Sequence, residues 1–250
     1  MIAALLLAAQ AGPPAPADLD ADRYSYCLSL VRLKPADGVD EATRWRQSGG
    51  GYLAQQCLGM ALARQQKYPD AAAAFEVAAK EGEAAHEPQA ANFWAQAGNA
   101  WAANGDFAKA ATALDSAIAL GTLRGLDLGE AHLDRARVHM AQGDKAGARA
   151  DLDAALRDAN GDPLAWLLSA TLARKMGDLP LAKQHIAEAL KRSPDDASVQ
   201  LEAGNIAALD HDEKGAKDAW TAAMNLAPGT ETSIAARAAL KQFGPDDAKP

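Results

Sequence analysis

Nowhere does this sequence gather lysine and arginine into a block, and its formal net charge is −8 over 250 residues. The counterion-release term that drives binding to phosphate backbones is therefore absent, which argues against a nucleic-acid partner. The apolar run at residues 2–9 falls far short of the ~20 residues a membrane-spanning helix needs, so no membrane span is expected. Aromatic residues are only 5% of the chain, and cysteine occurs twice. Two thiols with no clustered histidine make a poor metal site, so neither a metal nor another cofactor is expected. Alanine fills the gap that the aromatics leave. It is the best helix former and keeps helices thin enough to pack closely, so the composition predicts an all-α fold.

The amino end reads MIAALLLAAQAGPPAPADLD. A short apolar run followed by Ala9-Gln10-Ala11 fits a signal-peptide core and its small-x-small cleavage pattern, which predicts residues 1–11 as a signal peptide. No Lys or Arg precedes the run, so its positive end is the amino terminus itself. Export would place the chain in a bacterial periplasm or outside the cell; without cleavage the same segment would be the end of a cytoplasmic protein. Residues 12–19 are proline-rich and read as a spacer. In an exported protein Cys27 and Cys57 can close one disulfide, and the alternative is two small buried hydrophobes on separate helices.

Further along, one spacing recurs. Ala170, Ala173, Gly177, Ala182, Ile186, Ala189 and Pro194 reappear 34 residues later as Gly204, Ala207, His211, Ala216, Trp220, Ala223 and Pro228. Upstream, Gly98, Trp101, Gly105, Phe107, Ala110, Leu114 and Ala117 keep the pattern. So do Leu58, Gly59, Leu62, Tyr68, Ala71, Phe75 and Ala78, and a fifth copy runs from Ala136 through His139, Gly143, Ala148 and Leu152 to Ala155. A period of this length marks a helix-turn-helix unit that buries its apolar face only by stacking on its neighbours. The small residues Gly59, Gly98, Ala136, Ala170 and Gly204 would let the two helices of a unit approach closely. They are spaced by 39, 38, 34 and 34 residues, so the early units carry insertions, expected in loops around EAAHEPQ and LRGLDLG. NGD, QGD and MGD, at 104–106, 142–144 and 176–178, put glycine where a helix closes in a left-handed cap and aspartate where the next begins.

These units resemble tetratricopeptide repeats, with Leu58-Gly59, Phe75, Trp94 and Pro194 at the family's matching places over about residues 52–230. The resemblance implies a right-handed α-solenoid of five helix hairpins, at 52–85, 91–124, 129–162, 163–196 and 197–230. Helical spacing in Tyr24, Cys27, Leu28, Val31 and Leu33, then in Val39, Ala42 and Trp45, predicts an N-terminal helical cap over 20–51. Ala236, Leu240 and Phe243 share a stripe that predicts a capping helix over 231–244, followed by a disordered tail at 245–250.

Catalytic signatures are missing. No nucleophile elbow, phosphate loop, paired zinc motif or dinucleotide fingerprint occurs, and SGGG at 48–51 lacks the Lys-Ser or Lys-Thr that would complete a phosphate loop. His132 and His139, seven apart on one helix face, read as packing residues, and LDHDEKG around His211 as a polar turn. Trp94, Trp101, Trp166 and Trp220 fall at core offsets and read as packing residues too. The chain therefore reads as a non-enzyme.

The resemblance also implies a function. In this family the first helix of each unit lines a concave groove that takes peptides. Its groove offsets fall here on Gln56, Met60 and Arg64, then Asn99, then Glu130, Leu133 and Arg137, then Leu167, Thr171, Arg174 and Lys175, and last Leu201, Asn205 and Leu209. Gln56, Met60 and Leu133 stand where a clamp for a chaperone tail would need other polar or basic groups. The expected role is a scaffold that binds a protein or peptide ligand, as an adaptor or assembly factor in a bacterial envelope. The rivals are a homo-oligomeric structural module and an accessory subunit that binds a glycan or small ligand.

Overall fold

A computed structural model describes residues 16–243, which form thirteen α-helices and, among the described residues, no strand. The expected signal peptide, the start of the spacer and the expected C-terminal tail lie outside the described residues. The helices are α1 (Pro16–Leu33), α2 (Pro35–Gln47), α3 (Gly51–Arg64), α4 (Tyr68–Ala84), α5 (Ala90–Ala103), α6 (Phe107–Ala119) and α7 (Gly125–Gln142). There follow α8 (Lys145–Asp158), α9 (Pro163–Met176), α10 (Leu179–Arg192), α11 (Ala197–Leu209), α12 (Glu213–Leu226) and α13 (Glu231–Gln242). Each packs against the next, and α5 against α7, α9 against α11, so the hairpins stack as an α-solenoid.

The turns follow the expected chemistry. Gly105, Gly143 and Gly177 have φ near +80°, and Asp106, Asp144 and Asp178 accept hydrogen bonds from Lys109 N, Gly147 N and Leu181 N of the next helix. At the equivalent corner of the last hairpin, His211 takes φ +62°. The sequence reading of that loop as a polar turn thus gains a reason: its histidine occupies a left-handed position that glycine fills in the three middle hairpins and Gln66, at φ +60°, in the first.

Close approach explains the small residues on the first helices. A Cβ added to Gly59 would lie 2.7 Å from the Phe75 ring, and one added to Gly98 2.6 Å from Leu114 Cγ. Where the facing residue is Leu152 or Ile186, the first helix carries Ala136 or Ala170, both fully buried. Only glycine or alanine fits these contact positions on the first helices.

Two boundaries move from the sequence expectation. Helix α1 starts at Pro16, inside the expected spacer, because proline is tolerated in a first helical turn and Ala17, Asp18 and Leu19 can continue the helix. Helix α7 starts at Gly125, so most of LRGLDLG lengthens a helix instead of forming a loop. The remaining insertion loops touch, with Thr122 Oγ1 donating to Pro88 O at 2.9 Å.

The ends are closed differently. At the start, Cys27 and Cys57 are joined by a disulfide with Cα atoms 6.4 Å apart, and Arg23 pairs with Glu41 at 2.9 Å. Glu41 is buried, which alone would raise its pKa, but Arg23 and Arg44 outweigh this and hold it below the usual range. At the other end Ala236, Ala239 and Leu240 of α13 cover Trp220 and Ala223, and the Phe243 ring meets Trp220 at 5.0 Å.

Candidate functional site

Two cavities open beside the first helices of the early hairpins. The first, about 420 Å³, lies between α1, α3, α4 and α5, with Val31, Met60, Tyr68 and Phe75 supplying apolar walls and Arg64 and Asn99 polar ones. The second, about 460 Å³, lies between α5 and α7 and is lined by Asn99, Phe107, Asp134, Arg137 and Val138. Asn99 and Ala103 line both, so the cavities adjoin and form one channel-like surface across the first three hairpins.

The helices explain this arrangement. Val31 stands one turn after Cys27 on α1, so the bridge to Cys57 on α3 sets that helix and with it the cavity wall. Tyr24 reinforces it by donating to Gln56 Oε1 at 2.5 Å, while Gln56 Nε2 donates to Gln96 Oε1 at 3.2 Å. Asn99 Nδ2 donates to Asp134 Oδ2 at 2.6 Å and Arg137 reaches the same carboxylate at 3.4 Å. Burial raises the Asp134 pKa against the pull of those two partners. Glu130, outside the cavity linings, is also raised, first by burial and then by Asp127, Asp134 and Asp162.

The sequence-predicted groove residues divide sharply. Met60, Arg64, Asn99 and Arg137 line the cavities. Glu130, Lys175 and Leu209 are exposed beyond these lining sets. Gln56, Leu133 and Leu167 are buried, which corrects their reading as contact residues: Gln56 links three helices through its amide, and the two leucines belong to inter-repeat cores. Thr171 is half-buried, and Leu201 packs against the Trp220 cluster. Arg174 grips Glu202 through two bonds of 2.6 and 3.1 Å, and Asn205 accepts from Trp220 Nε1 at 3.1 Å. These last two groups are committed inside the fold.

The sequence missed Val31, Tyr68, Phe75, Phe107 and Asp134 as lining residues. The first belongs to the cap, and the next three to second helices or their starts, whereas the projected offsets covered first helices alone. A usable signal was Cys27 with Val31 four positions on, a pair that any bridge to α3 turns toward it.

All four tryptophans pack against apolar clusters, as their offsets predict, but to different depths. Trp220 is buried at 2% exposure, but Trp94, Trp101 and Trp166 are half-buried, on helix positions turned away from the channel. Lys80, Lys109 and Arg192 lie over their rings at 5.6, 4.1 and 4.8 Å. Their indole N–H groups donate to Glu83, Glu76 and Asn160 O. An indole has an apolar body and a polar tip, so it serves at a helix boundary where one end stays wet.

His132, His139 and His185 are held by contacts within the fold. His132 Nδ1 lies 2.9 Å from Asp151 Oδ1 and His139 Nε2 3.6 Å from Oδ2, with Arg135 clasping the same buried carboxylate. Burial would raise the Asp151 pKa, but His132 and Arg135 outweigh it and lower the value. Ser169 Oγ lies 2.6 Å from His185 Nδ1 and accepts from Arg149 at 2.7 Å. Ser169 has no exposed surface, so this pair cannot present a nucleophile to a substrate. Among the described residues no group of three or more His, Cys, Asp or Glu is placed to hold a metal, and no helix is long and apolar enough to cross a membrane.

The fold defines a class: an α-helical repeat scaffold. The chain belongs to the tetratricopeptide repeat family, whose models match residues 58–124, 129–172 and 167–223. No curated protein sequence matches it significantly. Among solved structures it is similar to pilF of Pseudomonas aeruginosa, with TM-score 0.74 and 14% identity over 89% of this chain and 98% of that one. It is similar also to PilW, a type IV pilus biogenesis factor, with TM-score 0.71 and 17% identity over 86% and 96%. A third is YrrB, a TPR protein with an unusual peptide-binding site, with TM-score 0.60 and 17% identity over 80% and 97%. At these identities the likeness establishes the fold.

Proposed function

We propose that this chain is a non-enzymatic scaffold whose concave channel holds a segment of a partner protein, acting as an adaptor or assembly factor in a bacterial envelope. The observation that carries the reading is the pair of adjoining cavities that share Asn99, apolar at Met60 and Phe75 and polar beyond. A segment with one apolar side chain and a free backbone fits such a surface, because the cavity removes apolar area from water while Asn99 Oδ1 can accept from a backbone N–H. Support for the setting comes from the apolar amino-terminal run, from the Cys27–Cys57 bridge, which suits an oxidising compartment, and from the shared fold of the pilus biogenesis factor and the peptide-binding protein.

The test is selection of displayed random peptides on the wild-type chain and on a Met60→Asp, Asn99→Ala variant whose helicity and melting temperature are checked first. Sequences enriched by the wild type and lost on the variant support the channel. Equal enrichment on both would place binding elsewhere on the molecule and end this reading.

A further inference from the structure

The polar groups of the first cavity are few, and each has a free end. Arg64 closes α3 and Tyr68 opens α4, so a guanidinium and a phenol flank one tight turn, and both line the cavity. No carboxylate lines it, although the chain is acidic overall. Arg64 is exposed and forms no ion pair with any described residue, and the Tyr68 hydroxyl has no hydrogen-bond partner among them. Asp134, in the second cavity, is already held by Asn99 and Arg137. Two amides complete the lining. Gln96 and Asn99 stand three residues apart on α5, hence on one helix face. Tyr24 donates to Gln56 Oε1, so Gln56 turns its Nε2 to Gln96 Oε1, and Gln96 Nε2 is left without an acceptor among the described residues. Asn99 commits Nδ2 to Asp134 and keeps Oδ1. The cavity that Met60 and Phe75 make apolar thus presents one amide donor beside one amide acceptor.

We infer that the first cavity recognises an internal, extended segment in which an aliphatic or aromatic side chain and an acidic one stand two residues apart. The apolar side chain enters between Met60 and Phe75, a backbone C=O accepts from Gln96 Nε2, a backbone N–H donates to Asn99 Oδ1, and the acid meets Arg64 with the Tyr68 hydroxyl as a second donor. The inference rests on the binding reading above and adds the chemistry of the ligand. Charge complementarity decides for an acid, because Arg64 is the one charged group in the lining and the fold gives it no counter-ion. The spacing follows from α3 itself. Met60 and Arg64 are four residues apart on that helix, a rise of ~6 Å, and a chain running along it covers this in about two residues, whose side chains share one face. An internal segment is favoured over a chain end because one guanidinium is a sparse grip for a terminal carboxylate, and because the surface continues past Asn99 and Ala103 into the second cavity.

Labelled synthetic peptides with blocked ends and a central Phe-Ser-Asp, Phe-Ser-Asn or Phe-Ser-Lys, each also made in the reverse order, test this by fluorescence anisotropy at low and high salt. A fourth peptide ends on Phe with a free carboxylate and carries no other acid. The expected result is that the Asp peptide binds about threefold tighter than the Asn peptide and about tenfold tighter than the Lys peptide, with the preference narrowing in high salt. Arg64→Glu, with helicity and melting temperature unchanged, should reverse the order of the Asp and Lys peptides. Equal binding of the three blocked peptides, abolished by Met60→Asp, would overturn the acidic specificity and leave the cavity as a binding site. Tightest binding of the fourth peptide would overturn the internal segment in favour of a chain end. Binding untouched by Met60→Asp, or none by any peptide, would overturn both this inference and the reading it rests on.

Discussion

Asn99 and Asn205 occupy the same place in their repeats, one residue after the small residue that meets the second helix, yet they do different things. Asn99 lines both cavities and keeps its Oδ1 available, whereas Asn205 accepts from the Trp220 indole and donates to Glu202. The cause lies sixteen positions after the small residue, where Phe75, Leu114, Leu152 and Ile186 carry no hydrogen-bond donor and Trp220 carries one. A buried N–H demands an acceptor, so the tryptophan recruits the nearest amide and takes it from the concave surface. Arg64 and Arg174 repeat the contrast, the first unpaired beside a cavity and the second locked to Glu202. The first three hairpins keep an open channel, and the last two turn the same surface into stability.

The largest expected effect is on the sealed half. Trp220→Ala should destabilise the chain by about 3–5 kcal/mol, with a cavity left under α13, and Trp94→Ala, half-exposed, by clearly less. Denaturant unfolding measures both, and a loss below about 1 kcal/mol for Trp220→Ala would refute the packing described for it.

On the open half, replacing Cys27 and Cys57 by serine should remove roughly 3–4 kcal/mol in the chain-entropy account of a loop of this length. It should also weaken binding in the first cavity, because Val31 loses its anchor. Undiminished binding would show that α1 is held by Tyr24 and Arg23 alone.

The paired arginines then sharpen the contrast. Glu202→Ala leaves Arg174 without its carboxylate and should cost about 2 kcal/mol, below the full value for a buried pair because the guanidinium is partly exposed. Arg64→Ala should change stability by no more than about 0.5 kcal/mol. Similar losses for the two would erase the distinction.

The smallest effect is a pH dependence in the sealed half. Burial, then Arg149, depresses the His185 pKa below its ordinary 6.5. A base whose folded value lies below its unfolded one binds more protons unfolded, so its contribution is present above pH 6.5 and is lost as pH falls through the folded value. Thermal unfolding of His185→Gln, which keeps an acceptor for Ser169, should show a flatter decline just below pH 6.5. An unchanged profile would remove His185 as the cause.

Much of this fold was legible because stacking repeats write their packing into period and residue size: the glycine corners, the aspartate caps and the Gly59–Phe75 pairing all follow from local rules. The channel was legible at Met60, Arg64, Asn99 and Arg137, where first-helix offsets suffice. It was not legible at Leu133 and Leu167, whose burial depends on how tightly adjacent hairpins close, or at Asn205, whose fate depends on one indole fifteen residues away. Nor could a single-helix projection find Val31 or Tyr68, which enter the channel from the cap and from a second helix.

Site-specific photo-crosslinking in producing cells tests the central contrast most directly. A photoreactive side chain at Met60 or Asn99 should trap a partner polypeptide, and one at Thr171 or Leu201 should not. Trapping confined to the last two positions, or equal at all four, would contradict an open first half and a sealed second.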